Sequence, residues 1–141
     1  IPMKCDIVSA RKQIHSGDVS MLIASGIAGE LGITPRHAPL ITLLKAGAVR
    51  VIDPGGADKT YFIGGGIMEV MPHLVTVLAD SAVRADDFDE ASARKAMTEA
   101  ERALQDRTGD MEIAEAQAML VETIEQLQAL ERWRRRVQGK N

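Results

Sequence analysis

The chain has 141 residues, of which 45% are hydrophobic and 26% are charged, and its formal net charge at pH 7 is −3. This composition is sufficient for a buried core and argues against a disordered chain. The negative net charge argues against a protein that binds nucleic acid by neutralising phosphates. The chain has only four aromatic residues, which are too few for a surface that stacks bases.

The sequence changes character near residue 85. All five prolines lie before residue 75, and ten of the twelve glycines lie before residue 70. Residues 1–85 carry eight Lys or Arg and seven Asp or Glu, a net charge of +1, whereas residues 86–141 carry nine and thirteen, a net charge of −4. These differences predict a first domain over residues 1–85 and a second domain over residues 86–141.

The first domain has the pattern of an antiparallel β-sandwich or flattened barrel. Short apolar or β-branched segments, among them "VSMLIAS", "AVRVID", "TYFIG" and "LVTVLAD", are separated by glycine and proline turns. Their close spacing, with no helical period between them, favours strands packed in two layers. Gly64, Gly65 and Gly66 lie between two strand-like segments, so we expect a bulge or a close crossing of backbones there, and not a phosphate loop.

The second domain has the pattern of an antiparallel two-helix hairpin, which makes the whole chain an α+β protein. Asp87, with Glu90 three residues later, predicts the capped start of the first helix. Gly109 predicts the break between the helices. Because the apolar face of the first helix is largely alanine, which buries little surface, we expect a weakly held hairpin that can move. The second helix carries one apolar stripe of Ile113, Ala116, Leu120, Ile124, Leu127 and Leu130.

His37 lies on the glycine- and proline-rich stretch "GELGITPRHAPLI". A catalytic histidine needs a nucleophile or an orienting carboxylate, and a metal-binding histidine needs further ligands at usable spacing. His15 and His73 each stand alone, and Cys5 has no companion cysteine. The sequence therefore predicts no catalytic residue and no metal site, and it favours a structural or interfacial role for His37.

An arginine cluster closes the second helix, and it consists of Arg132, Arg134, Arg135 and Arg136. One interpretation is a solvated helix end, in which positive charge complements the negative end of the helix dipole. The other is a docking patch for an acidic segment of a partner. The residues alone leave both interpretations open.

The number of cysteines and the hydropathy of the chain indicate the kind of cellular compartment in which the protein works. The single cysteine excludes an intramolecular disulfide and fits a reducing environment. No apolar run approaches the ~20 residues of a membrane-spanning helix, and no signal peptide is visible. We therefore expect any membrane association to go through a partner.

Three stretches of the chain carry a resemblance to a known family: "VSARKQIHSG", "GELGITPRHAPLITLLKAGAVRV" and "FIGGGIMEVMPHLVTVLADSAVRADDFDEASA". Their order and separation resemble those of the epsilon subunits of bacterial F-type ATP synthases, across essentially the whole chain. The motifs of the second and third stretches are highly specific to that family when they occur together.

The resemblance implies an N-terminal β-sandwich, a C-terminal two-helix domain and a non-catalytic role in the central stalk. A subunit of this kind binds the gamma subunit and the c-subunit ring, and it couples proton-driven rotation to ATP synthesis in the alpha3beta3 hexamer. It is a peripheral protein at the cytoplasmic face of the bacterial inner membrane. Its C-terminal helices can extend along the stalk toward the beta subunit and block ATP hydrolysis.

The resemblance also implies roles for particular residues. The part that faces the c-ring is expected to be a loop formed by Gly29, Glu30, Leu31 and Gly32. The adjoining segment near gamma contains His37, Ala38 and Pro39. Inhibition of hydrolysis is expected to involve Arg132, Arg134, Arg135 and Arg136.

Some members of the family bind ATP through the motif Ile/Leu-Asp-x-x-Arg-Ala at the start of the first helix. Asp89 and Ala93 match this motif, but Ser92 occupies the arginine position, and Arg94 lies two residues further on. We therefore expect no cofactor. The alternative is a module that senses ATP and regulates the stalk, with Asp89 and Arg94 as the nucleotide-binding residues.

Overall fold

The computed structural model describes residues 2–10, 12–106 and 113–138, with side chains described as far as 105 in the first helix and 135 in the second. Within these ranges eight strands precede two helices, which confirms the α+β class. The strands are β1 (Met3–Ser9), β2 (Gln13–Val19), β3 (Met21–Gly26), β4 (Gly29–Ile33), β5 (Leu40–Ile52), β6 (Asp58–Met71), β7 (Leu74–Ala79) and β8 (Ala82–Arg84). A 3-10 turn, Ala85–Asp87, leads to α1 (Glu90–Asp106), and α2 is Ile113–Gln138. Gly109, the predicted helix break, lies outside the described residues.

The strands form one hydrogen-bonded network in the order β2-β1-β7-β6-β5-β3-β4, with β8 beside β6. β5 and β6 are the longest strands of the described chain, and they pair from Leu40 opposite Val70 to Ile52 opposite Asp58. All described pairs are antiparallel except β1 and β7, which run parallel. Turn signals cannot predict that pair, because they report only on strands that follow each other in the chain.

The core is built from alternate residues of the strands. Met3, Cys5 and Ile7 of β1 and Val75 and Val77 of β7 are at most 1% exposed. Removing a large apolar side chain of this kind from water contributes about 1.5–3 kcal/mol to folding. Burial raises the pKa of Cys5 to about 12, so its thiol stays protonated at neutral pH.

The first helix begins two residues later than the sequence predicts. Its N-cap is Asp89, whose carboxylate accepts hydrogen bonds from the Ser92 backbone N–H at 3.0 Å and from the Ser92 hydroxyl at 2.8 Å. Asp87 instead closes the 3-10 turn. Phe88, between the two aspartates, has an extended backbone with φ −77° and ψ 117°, so Asp87 cannot cap the helix.

A small aromatic and apolar cluster holds α2 against β6. The ring of Phe62, on β6, meets the rings of Phe88 and Trp133 edge to face, with centroids 5.6 Å and 5.9 Å away. Ala129 and Leu130 of α2 are buried in the same cluster. The second helix therefore rests on the strands as well as on α1.

This double packing explains why the predicted stripe of α2 is partly wrong. Leu127 and Leu130 are buried, but Ile113 is 47% exposed and Ile124 is 37% exposed. Because α2 faces both α1 and the sheet, its buried positions also include Ala129, which lies off the stripe. Neither described helix is long and apolar enough to cross a bilayer.

Candidate functional site

The segment predicted to face the c-ring is a strand at the edge of the sheet. β4 follows β3 after the two-residue turn Ile27-Ala28, and its one described ladder is with β3. A turn this short leaves no room for a loop, so that part of the prediction is wrong. The ladder with β3 includes Gly29, Glu30, Leu31 and Gly32.

Glu30 lines a cavity of 220 Å³ that the sequence did not predict. Lys45, Arg132 and Trp133 line the same cavity, so the end of α2 reaches the edge of the sheet. The Arg132 guanidinium donates a hydrogen bond to the backbone carbonyl of Ala46 on β5. Two sites that the sequence treats separately, the strand near Glu30 and the arginine cluster, therefore meet in one place.

The other arginines of the cluster have different surroundings. Arg134 donates two hydrogen bonds to the carboxylate of Glu90 on α1, at 2.6 Å and 3.3 Å. The hydrogen bonds from Arg134 and Arg94 lower the pKa of Glu90. Arg135 is exposed, and the side chain of Arg136 lies outside the described residues.

His37, Ala38 and Pro39 lie on the connection between β4 and β5. Nδ1 of His37 donates a hydrogen bond to the Ala38 carbonyl at 2.7 Å, which turns the imidazole toward the backbone of the next residue. The N–H of Arg36 donates to the Pro72 carbonyl at 2.9 Å and ties this connection to the turn between β6 and β7. In the described part of the chain, no group of three or more His, Cys, Asp or Glu could hold a metal ion.

An apolar surface that the sequence motifs do not predict lies on the outer side of β5, β6 and β7, and we call it the outward face. Its members are Ile41 (70% exposed), Leu43 (52%), Ile67 (42%), Met71 (44%) and Leu78 (53%). They are neighbours in the sheet, because Leu43 lies opposite Ile67 and Ile67 lies opposite Leu78. The sequence does carry a signal for this surface. The segments "LITLL" and "IMEVM" place apolar residues on both sides of their strands, and this pattern is typical of strands covered on both faces.

The outward face continues toward the connection that contains His37. A shallow cavity of 360 Å³ is lined by Pro39, Ile41, Glu69 and Met71 among others. Pro39 is exposed beside this cavity. The segment predicted to lie near gamma is thus contiguous with the largest group of exposed apolar side chains on the described strands.

The glycine triplet makes the predicted close approach, but it forms no bulge. A Cβ on Gly66 would collide with the Leu78 carbonyl oxygen. The pairing of β5 with β6 keeps one register on both sides of the triplet, with Leu44 opposite Gly66 and Ala46 opposite Gly64. The triplet therefore lets strands approach closely within a regular ladder.

Gly64 also marks a close approach of α2 to the sheet. A Cβ on Gly64 would lie 2.5 Å from the Ser81 hydroxyl oxygen and 2.6 Å from Oε2 of Glu125. The Ser81 hydroxyl is buried and has no hydrogen-bond partner among the described residues. Burial, and then the carboxylates of Asp80 and Glu122, raise the pKa of Glu125. The helix is therefore docked beside a small group of carboxylates.

Asp89 and Arg94, the nucleotide-binding candidates, make local contacts at the start of α1. Hydrogen bonds from Ser92 to the Asp89 carboxylate lower the pKa of Asp89. Arg94 forms an ion pair with Glu90, one turn before it, at 3.1 Å. The two side chains thus serve the helix cap and the helix surface in this arrangement.

The chain has close relatives in sequence. Residues 2–85 match the family described as ATP synthase, Delta/Epsilon chain, beta-sandwich domain. The chain is 56% identical over 133 residues to the ATP synthase epsilon chain of Stenotrophomonas maltophilia strain K279a, covering 94% of this chain and 95% of that one. It is 53% identical over 135 residues to the ATP synthase epsilon chain of Nitrosococcus oceani, covering 96% of each.

Solved structures share the fold. A chain of the Euglena gracilis mitochondrial ATP synthase superimposes with a TM-score of 0.67 at 23% identity, covering 92% of this chain and 79% of that one. A chain from the central stalk and c-ring of the Tetrahymena thermophila mitochondrial ATP synthase gives a TM-score of 0.52 at 13% identity, covering 89% and 96%. These two likenesses concern the fold alone, and the family follows from the sequence relatives. On that evidence, this chain belongs to the family of ATP synthase epsilon chains.

Proposed function

We propose that this chain is a non-catalytic subunit of the central stalk of a bacterial ATP synthase, where it binds the gamma subunit and the c-ring. In that place it helps to couple proton-driven rotation to production of ATP by the alpha3beta3 hexamer, at the cytoplasmic face of the inner membrane. Family membership over nearly the whole chain supports this proposal. The structural observation that carries it is the outward face.

The outward face has the properties of a protein contact. Its five large apolar side chains are 42–70% exposed and adjacent in the sheet, and contiguous exposed apolar surface is typical of an interface. Covering such surface contributes roughly 25 cal/mol per Å². We assign it to gamma, because it is contiguous with Pro39, on the segment that the family resemblance places near gamma.

The hairpin of β3 and β4 is the proposed contact with the c-ring. Ile27 at its tip is 62% exposed, and Glu30 follows on β4. β4 is the last strand in the order of the described sheet, and an edge strand of this kind can pair with a segment of a partner. A strand suits a contact that carries torque, because displacing it requires breaking ladder hydrogen bonds with β3.

The two helices are proposed to regulate hydrolysis by leaving the sandwich. Val121 and Ile124 of α2 are 55% and 37% exposed, which leaves apolar surface that an extended form can bury against other subunits. In the docked form Arg132 binds the Ala46 carbonyl and Arg134 binds Glu90. Extension releases these arginines for an acidic segment of the beta subunit.

We assign no bound nucleotide to the two helices. Ser92 stands where the ATP-binding motif has arginine, and its hydroxyl donates to Asp89 as part of the helix cap. Arg94 is held by an ion pair with Glu90, one turn before it. A triphosphate would have to displace both contacts and would gain no arginine from the motif position.

Deleting residues 86–141 tests the assignment of stalk contact and of inhibition in one complex. The shortened chain is expected to co-purify with gamma and the c-ring, because β4 and the outward face both lie before residue 86. ATP hydrolysis by the complex is expected to rise by about twofold or more, which corresponds to an inhibitory contact of about 0.4 kcal/mol or above.

Matched variants of the full chain sharpen this test. Arg132→Gln combined with Arg134→Gln is expected to raise hydrolysis, whereas Arg102→Gln, on the exposed surface of α1, is expected to leave it unchanged. Failure of both the full and the shortened chain to co-purify with gamma would contradict the stalk assignment. Unchanged hydrolysis after the deletion would contradict the regulatory role alone.

A further inference from the structure

A cleft of 490 Å³ lies between two strands that are not hydrogen-bonded to each other. In the described sheet β2 pairs only with β1, and β8 pairs only with β6. The open edges of β2 and β8 therefore face each other across a gap. This cleft belongs neither to the outward face, nor to β4, nor to the arginine cluster.

The cleft is positive although the chain as a whole is negative. Lys12, Lys59 and Arg84 line it, and the carboxylate that lines it is that of Asp87. Arg84 also lies 3.6 Å from Asp86, in an ion pair that is exposed to solvent. Three cationic groups around one concave surface, in a chain of net charge −3, favour the binding of an anion.

His15 also lines the cleft, and one of its ring nitrogens has no hydrogen-bond partner among the described residues. Its Nδ1 lies 3.1 Å from the Tyr61 hydroxyl, and its Nε2 is buried with no partner among the described residues. Burial, reinforced by the Lys59 ammonium, lowers the pKa of His15, so the ring is neutral at pH 7. When Tyr61 donates to Nδ1, the neutral ring carries its proton on Nε2, and that N–H is left for an acceptor.

We propose that the cleft between β2 and β8 binds a phosphoryl anion through Lys12, Lys59, Arg84 and the Nε2–H of His15. A phosphate dianion matches this set, because it brings two charges and several acceptor oxygens to three cations and a neutral donor. A carboxylate brings one charge and two oxygens, and it leaves donors unpaired. The cleft has room for more than a bare phosphate, so the same group can arrive as the phosphoryl end of a nucleoside diphosphate.

The test is a titration of the full chain with inorganic phosphate at constant ionic strength, followed by the NMR signal of the His15 ring. Saturable binding is expected, together with a rise of the His15 pKa, because a bound anion favours the imidazolium. Lys59→Gln is expected to weaken binding about fivefold or more, since it removes a charge-assisted contact. Lys95→Gln removes a positive charge from the exposed surface of α1 and is expected to leave the affinity within about twofold.

A second variant and a second ligand complete the experiment. His15→Phe keeps an aromatic ring but removes the donor, so binding followed by calorimetry is expected to weaken while the amide NMR spectrum of the strands reports an intact fold. Titration with ADP identifies the source of the group: tighter binding than phosphate indicates a nucleotide, and equal or weaker binding indicates the free anion. Absence of saturable phosphate binding, or equal affinities for Lys59→Gln and Lys95→Gln, would overturn the proposal.

Discussion

Gly64 sets how closely α2 can approach the sheet. A Cβ at this position would lie within 2.6 Å of Oε2 of Glu125 and 2.5 Å of the Ser81 hydroxyl oxygen, and packed carbon and oxygen atoms do not come so close. The Ser81 hydroxyl is a short, buried group with little freedom to retreat. The glycine therefore serves the docking of the helix as well as the crossing of strands.

Gly64→Ala is expected to weaken docking of α2 by about 1 kcal/mol, because the flexible Glu125 side chain can yield part of the space. Trp133 is the only tryptophan of the chain and lies 5.9 Å from Phe62 in the docked cluster, so its fluorescence reports docking. Gly55→Ala is the control, since a Cβ there meets Asp53 at an ordinary 3.4 Å. Identical Trp133 emission and amide exchange of α2 in both variants would contradict the packing described.

At the scale of elements, the contact between α2 and the sandwich combines an apolar cluster with a group of carboxylates. Asp80 and Glu122 face Glu125, and Lys12 lines an adjoining cavity with Asp80 and Glu122. The docked form therefore disfavours the ionised form of Glu125. This contact makes the position of the helix sensitive to pH.

The sign of that sensitivity follows from the raised pKa of Glu125, whose ordinary value is 4.5. Above the raised pKa, Glu125 is ionised in both the docked and the undocked form. The docked form then bears the full free-energy cost of placing this charge in a partly buried site beside other carboxylates. As pH falls toward 4.5, the docked form takes up the proton first, so docking becomes stronger on acidification. The pKa of Glu90 is lowered, so protonation breaks its ion pair with Arg134 only at a pH below the range in which Glu125 titrates.

Glu125→Gln is expected to strengthen docking at pH 7 by about two- to threefold and to flatten its dependence on pH above 4.5. Docking of α2 is followed by Trp133 fluorescence between pH 4.5 and pH 7. Glu115→Gln, on the exposed first turn of α2, is the matched control and is expected to behave as the parent chain. A parallel pH profile for the Glu125→Gln variant and the parent would show that another group controls docking.

Elements were predictable from sequence where the cause is local. Composition and periodicity predict the strand-rich half and the two helices. The glycines of β4 instead favour a loop, and the pairing of β4 with β3 becomes visible only in the structure. The helix start was misplaced, because the position of Phe88 depends on its contact with Phe62, which is distant in sequence. The parallel pairing of β1 with β7 and the meeting of Glu30 with Arg132 are also products of tertiary packing.

At the scale of the whole molecule, the sandwich presents an apolar surface on β5, β6 and β7 and an open strand edge at β4. The family motifs pointed to Gly29–Gly32 and to His37–Pro39, but not to Leu43 or Leu78, which carry much of the exposed apolar surface. Motif reading finds unusual residues such as glycine and histidine. Ordinary leucines become informative only when the fold shows which of them remain uncovered.

Cysteine labelling tests most directly whether the outward face is buried in the ATP synthase. Leu43→Cys places a thiol on that face, and Ala57→Cys places one in the exposed turn between β5 and β6. Cys5 does not interfere, because it is 0% exposed and burial raises its pKa to about 12. Assembly is expected to slow maleimide labelling of the Leu43→Cys variant by about tenfold or more and to leave labelling of the Ala57→Cys variant unaffected. Equal labelling of the Leu43→Cys variant in the isolated chain and in the assembled complex would contradict burial of the outward face.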